Sequence, residues 1–167
     1  MNTKRLMLVT LFGLQSAFGQ QLMDQGFQLL ETGDFEKAET FFDAYLQNEP
    51  TNKTALICYG RAVGLSGEPK KAIEHFKELK EQYPEDFEIA VNFNEAFLWD
   101  GQFETAKPLY ESLLDLYPNS FAVNLGYANT LSNLKEYPKA LLWIDKAIAL
   151  DSSNASAKVS RKYIRLG

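Results

Sequence analysis

The chain has 167 residues, of which 46% are hydrophobic and 13% are aromatic, and this is enough apolar surface for a sizeable core. Its 17 basic and 22 acidic residues give a formal net charge of −5 at pH 7. Because the body of the chain contains no basic run, it lacks the electrostatic attraction that binding to a phosphate backbone requires. The composition therefore argues against a nucleic acid partner.

Residues 1–19 have the composition of a secretory signal peptide. Two basic residues precede an apolar stretch over residues 6–18, and the small residues Ala17 and Gly19 occupy both positions that a signal peptidase reads. This stretch of about 13 residues is shorter than the roughly 20 that span a bilayer. We therefore expect cleavage after Gly19 and export to the periplasm or the cell exterior. An amphipathic first helix and a membrane anchor are the alternative interpretations.

The rest of the chain repeats itself every 34 residues. Four columns of residues share this spacing. They are the alanines Ala38, Ala72, Ala106 and Ala140, the glycines Gly33, Gly67 and Gly101, the prolines Pro50, Pro84 and Pro118, and the large apolar residues Phe42, Phe76, Tyr110 and Ile144. In the last repeat, Lys135 replaces the glycine and Ser152 replaces the proline.

Each column has a physical role in a pair of antiparallel helices. Glycine adopts the left-handed conformation that ends one helix and begins a tight turn. Alanine permits close approach of the two helices, and proline stops the second helix because it lacks an amide donor. Between these columns, apolar residues recur at three and four positions, which predicts α-helices and no strands.

On these columns the sequence resembles the tetratricopeptide repeat (TPR) family. The resemblance covers residues 19–154 and implies an all-α fold, a right-handed α-solenoid of about four helix-turn-helix repeats. Counted from the prolines, the repeats occupy residues 19–52, 53–86, 87–120 and 121–154. With the signal peptide over 1–19 removed, they form one domain over 20–154. The amphipathic segment 155–167 is expected to be a C-terminal capping helix or the start of a fifth repeat.

The third repeat departs from the pattern at two positions. Its eighth residue is Asn94, where the other repeats have Gly26, Gly60 and Ala128. A polar amide at a close helix contact requires either a wider hairpin or a buried hydrogen-bond partner, and we expect the partner. Pro108 lies about one turn into the second helix of this repeat, where a mild kink is expected.

The residues that catalysis requires are sparse. His75 is the only histidine and Cys58 the only cysteine, so the chain has no internal disulfide and no cluster with metal-ligand spacing. The resemblance places Cys58 on the groove side and His75 on an outer helix, so they should not form a dyad. No glycine is part of a phosphate-binding loop. We therefore expect a protein that is not an enzyme and that uses no cofactor or metal.

The resemblance also implies a binding surface. In TPR proteins the first helices of successive repeats line a concave groove, in which a peptide or protein partner lies. Carried over position by position, the groove residues are Phe27, Cys58, Arg61, Asn92, Glu95, Leu98, Trp99 and Asn129. Aromatic and apolar residues are suited to anchoring an apolar side chain, and Arg61 and Asn92 to binding peptide backbone. Trp99 packing against a neighbouring repeat is the alternative interpretation.

Some TPR proteins hold the C-terminal carboxylate of a chaperone with lysine, asparagine and arginine from three successive repeats. The corresponding positions here, counted from the first repeat, are Met23, Phe27, Cys58, Glu88 and Asn92. Counted from the second repeat, they are Ile57, Arg61, Asn92, Ala122 and Gly126. Neither set forms a carboxylate clamp, so chaperone-tail binding is disfavoured.

The sequence thus predicts a protein-protein interaction scaffold of the periplasm or cell envelope. Three alternatives remain open. The chain is the soluble arm of a larger outer-membrane or envelope assembly, which is its only expected link to a membrane; it associates with itself by end-to-end stacking; or, least favoured, it is a hydrolase with an unrecognised site.

Overall fold

The computed structural model describes residues 22–166, and within this range the chain forms nine helices and no strand. The predicted signal peptide over residues 1–19 lies outside the described residues. The first helix, α1, spans residues 22–32. The others are α2 (Phe35–Leu46), α3 (Lys53–Leu65), α4 (Pro69–Gln82), α5 (Phe87–Trp99), α6 (Phe103–Leu116), α7 (Phe121–Asn133), α8 (Tyr137–Leu150) and α9 (Ala155–Ile164).

Four N-cap residues fix where α3, α5, α7 and α9 begin. Each accepts a hydrogen bond from the backbone amide three residues later, over 3.0 Å at Asn52, 3.1 Å at Asp86, 3.4 Å at Ser120 and 3.0 Å at Asn154. Such a bond satisfies one of the amides that a helix leaves unpaired at its start. These caps are also 34 residues apart, and they form a column that the sequence analysis overlooked.

The tight turns confirm the role predicted for the glycine column. Gly33, Gly67 and Gly101 have φ angles of +80°, +112° and +71°, and Lys135 is held at +63° in the equivalent turn. The turn at Lys135 is closed by the amide of Glu136, which donates to the carbonyl of Leu131 over 2.8 Å. Lysine therefore takes a conformation that is unfavourable for a residue with a Cβ atom.

We predict that Lys135→Gly raises the free energy of unfolding by about 0.5–1 kcal/mol, because glycine adopts this conformation without the steric penalty of a Cβ atom. Urea denaturation measures the change. The reciprocal variant Gly101→Lys should lose a similar amount. Equal stability of Lys135→Gly and the original protein would contradict the assignment of strain to this turn.

The chain divides into two compact units, which meet in sequence at Gly67 and Glu68. In the first unit, α1, α2 and α3 share one core, built from the buried residues Met23, Ala38, Phe42, Ala55, Cys58 and Ala62. In the second unit, each helix from α4 to α9 packs against the next. There α5 also contacts α7, so the first helices of the third and fourth repeats are neighbours, and α7 contacts α9.

The alanine and large apolar columns are completely buried. All four alanines, and all four of Phe42, Phe76, Tyr110 and Ile144, have 0% exposed surface. The predicted all-α class is confirmed, and the alanine column lies in the packed interior, as its predicted role requires. In α9, by contrast, Ala157 and Ile164 are buried while Val159 and Tyr163 are exposed, as is Leu166 just after the helix. Both interpretations of residues 155–167, capping helix and start of a fifth repeat, stay predictions.

Tyr110 differs from the two phenylalanines of its column by a buried hydroxyl. That hydroxyl has no hydrogen-bond partner among the described residues. The ring lies directly over Gly126, where an added Cβ atom would come within 2.4 Å of it. Burial raises the pKa of Tyr110 well above its ordinary value, and the negative charge of Glu95 adds to the rise. The hydroxyl is therefore neutral, and its burial is a cost.

We predict that Tyr110→Phe raises the free energy of unfolding by about 1 kcal/mol, because it removes an unsatisfied polar group and keeps the ring. The matched control is Tyr127→Phe. The Tyr127 hydroxyl donates to Glu111 Oε1 over 2.7 Å, so this variant should lose stability. Thermal unfolding of both variants measures the difference, and a loss of stability in Tyr110→Phe would refute the prediction.

The expectation of a hydrogen-bond partner for Asn94 is wrong for its amide nitrogen. Asn94 is 3% exposed, and its Nδ2 atom has no acceptor among the described residues. It lines a cleft together with Leu109 and Leu113 of α6, and the backbone carbonyls of a helix are already bonded within the helix. At the other departure, α6 continues through Pro108 without interruption.

Candidate functional site

The first unit carries three of the predicted groove residues. Phe27 on α1 is half-buried and packs against the core of this unit. Cys58 and Arg61 lie one turn apart on α3, where Cys58 is only 7% exposed and Arg61 is exposed. Of these three residues, Arg61 therefore offers an accessible polar group, whereas the Cys58 thiol belongs mainly to the packed interior.

The second unit carries the other five. Asn92, Glu95, Leu98 and Trp99 lie on α5, and Asn129 lies on α7. Glu95, Leu98, Trp99 and Asn129 are half-buried, and Leu98 packs against the core. Because α5 contacts α7, the structure brings these two helices together, as a groove built from first helices requires.

Asn92 is only 4% exposed. Its Nδ2 atom donates to the Glu88 carbonyl over 2.8 Å, and its Oδ1 atom has no donor among the described residues. The amide donors are thus partly committed to α5 itself. Little of this side chain is available to a partner in the present arrangement.

A cluster of charges connects the third and fourth repeats. Glu136, just before α8, accepts from Lys107 Nζ over 2.5 Å and from Lys139 Nζ over 2.5 Å. The hydrogen bond from Lys107, followed by that from Lys139, lowers the pKa of the Glu136 carboxyl. The same bond raises the pKa of Lys107. Lys107 and Glu136 are partly exposed and Lys139 is mostly exposed, so these ion pairs link the two repeats but contribute little to stability.

Residues 22–166 contain no group of three histidine, cysteine, aspartate or glutamate side chains arranged to hold a metal ion. His75 is half-buried on α4, where its ring packs edge-on against Phe76 with 5.5 Å between centroids. Over the same described range, no helix combines the length and the apolar character needed to cross a membrane.

The structure also shows a cleft that the sequence analysis did not identify. It lies in the second unit between the C-terminal end of α4, α5 and α6. The sequence marks Asn94 as an irregularity of the third repeat, where Glu95, Trp99 and Pro108 also lie, but it does not predict a cleft there. The sequence signal for this cleft is Leu116, an apolar residue outside the repeat columns. The structure shows Leu116 exposed beside Tyr117 at the end of α6.

Two sequence models of the tetratricopeptide repeat family match residues 24–87 and 98–159. Together with the helical hairpins, the buried alanine column and the left-handed turns, they define the class. The chain belongs to the tetratricopeptide repeat family. Its repeats are those of a protein-interaction scaffold, a role that this fold typically performs without catalysis.

One curated relative and several solved structures are similar to the chain. The DnaJ homolog subfamily C member 7 homolog of Schizosaccharomyces pombe is 27% identical over 136 residues, which cover 72% of this chain and 29% of the relative. The chain thus spans less than a third of that protein's length.

Two of the similar structures show the shared fold. A thermophilic TPR protein of Thermus thermophilus has a TM-score of 0.79 at 21% identity, covering 89% of this chain and 81% of that chain. MamA of Desulfovibrio magneticus has a TM-score of 0.62 at 16% identity, covering 89% and 84%. At these identities, the likeness concerns the fold alone.

Proposed function

We propose that this chain is a non-catalytic scaffold of the periplasm or cell envelope, which binds a peptide or protein partner through the first helices of its repeats. The observation that carries the proposal is the contact between α5 and α7. It makes neighbours of two helices whose side chains include the half-exposed Glu95, Trp99 and Asn129. A surface that combines an aromatic ring with polar groups suits a protein partner.

Within this surface, Trp99 is the expected anchor. Partly exposed tryptophan contributes a large contact area at a low cost in side-chain entropy, and tryptophan and arginine are enriched among the residues that dominate interface energies. In the first unit, the exposed Arg61 on α3 is the corresponding polar contact. Its guanidinium is suited to peptide carbonyls and carboxylates.

We predict that Trp99→Ala and Arg61→Glu each weaken capture of the partner by at least about tenfold, the loss expected when a dominant contact is removed. The measurement is affinity capture from the cell-envelope fraction of the host, with proteins quantified by mass spectrometry. Matched controls are Leu142→Ala and Lys77→Glu, exposed residues on the second helices α8 and α4. Recovery of the same proteins in the same amounts by all variants would overturn the groove assignment.

The cellular location rests on the N-terminal sequence, in which an apolar stretch ends with Ala17 and Gly19. We predict that the exported protein begins at Gln20. Fractionation of the host and N-terminal mass spectrometry test this. A protein that retains residues 1–19 in the cytoplasmic fraction would refute export and leave the binding proposal standing on the repeats alone.

A further inference from the structure

The cleft beside α5 has an apolar interior. Its volume is about 580 Å³, within the range of sites that bind small ligands or single side chains of a partner. The apolar residues that line it are Phe87, Ala90, Leu109, Leu113, Leu116 and Tyr117. The rings of Phe87 and Tyr117 pack edge-on, with centroids 4.6 Å apart, and this contact stabilises one wall of the cleft.

Two of these side chains leave apolar surface open to solvent. Leu116 is 70% exposed and Tyr117 is 37% exposed, whereas Leu113, which lines the same cleft, is buried. An apolar group that entered the cleft would cover the inner surface of Leu116. Covering such surface is favourable in proportion to the area removed from water.

Asn94 is the buried polar residue of the cleft. Its side chain lines the cleft and is 97% buried, since only 3% of its surface is exposed. Its Nδ2 atom has no acceptor among the described residues. This atom is a donor only, so an occupant that satisfies it must present an acceptor such as a backbone carbonyl.

The charges at the rim favour a cationic neighbour. The rim carries Lys80, Glu85 and Asp86. Glu85 is the more exposed of the two carboxylates. The carboxylate of Asp86 already accepts from the amide of Ile89. The ammonium of Lys80 lies over the ring of Phe93, with Nζ 5.0 Å from its centroid. With two acidic groups against one basic group, the rim attracts a positive charge.

We propose that this cleft is a second binding site, which takes an extended peptide segment of a partner protein. An apolar side chain of leucine or phenylalanine type fills the cleft, and a backbone carbonyl beside it accepts a hydrogen bond from Asn94 Nδ2. A following lysine or arginine reaches Glu85. The site needs only the second unit of the chain, from α4 to α6.

The cleft is separate from the groove of the proposed function. Phe87, Ala90 and Asn94 lie on one face of α5 at positions i, i+3 and i+7, whereas Asn92 is two residues from Asn94. Two residues correspond to a rotation of about 200° around a helix, so the two asparagines face opposite sides. The predicted groove residues do not line the cleft, and either site can fail without the other.

The test uses blocked dipeptides as probes. Acetyl-Leu-Arg-amide is titrated into the ¹⁵N-labelled protein and followed by NMR. We expect saturable shifts of the Asn94 side-chain amide and of the backbone amides of Leu113 and Leu116. Acetyl-Gly-Arg-amide lacks the apolar side chain and acetyl-Leu-Glu-amide reverses the charge, so each should bind at least about tenfold more weakly. Equal binding of all three probes, or no saturable shift, would overturn the proposal.

Asn94→Ala should have two effects of opposite sign. It removes a buried donor that has no acceptor, so the melting temperature should rise. It also removes the polar contact with the probe, so acetyl-Leu-Arg-amide should bind at least about fivefold more weakly. Asn133→Ala, at an exposed amide on α7, should leave probe binding unchanged. Leu116→Ser, at an exposed position, is a second variant that should weaken binding. Undiminished binding by Asn94→Ala or Leu116→Ser would refute the site.

Discussion

Close packing of large side chains against small ones is the constraint on which this structure depends. The ring of Tyr110 lies so near to the backbone of Gly126 that a single added carbon would come within 2.4 Å of it. In the first unit, a Cβ atom added at Gly26 would likewise come within 2.5 Å of the Phe42 ring. Because interiors are packed as densely as crystals, such pairs set the distance between helices and hence the stacking of the repeats.

Local features bring the helices into position for this packing. The caps at Asn52, Asp86, Ser120 and Asn154 determine where α3, α5, α7 and α9 begin. Turns with a left-handed residue determine where α3, α5 and α7 end. The residues of each repeat thus set the ends of its own helices, and each repeat need only pack against its neighbours. This is why Lys135 is tolerated in the last turn, where the surrounding bonds impose the conformation that glycine would adopt freely.

The polar exceptions to the packed core are informative because burial of an unpaired polar group costs about 1–3 kcal/mol. Tyr110 and Asn94 both have such a group among the described residues, but their surroundings differ. The Tyr110 side chain is 0% exposed and enclosed by the core. Asn94 lines a cleft that is open to solvent and walled by apolar side chains. The same physical cost therefore indicates a structural irregularity at Tyr110 and a binding site at Asn94.

The repeat, the helical class and the residues of the core follow from local sequence, because turns, caps and buried columns act over short distances and recur every 34 residues. The same pattern places Arg61 and Trp99 on first helices. Only the tertiary structure decided that Asn92 is buried, that the Asn94 donor lacks an acceptor and that a cleft forms beside it. The register of one helix gives the face on which a side chain lies. What covers that face depends on residues such as Leu109 and Tyr117, which a neighbouring helix brings there.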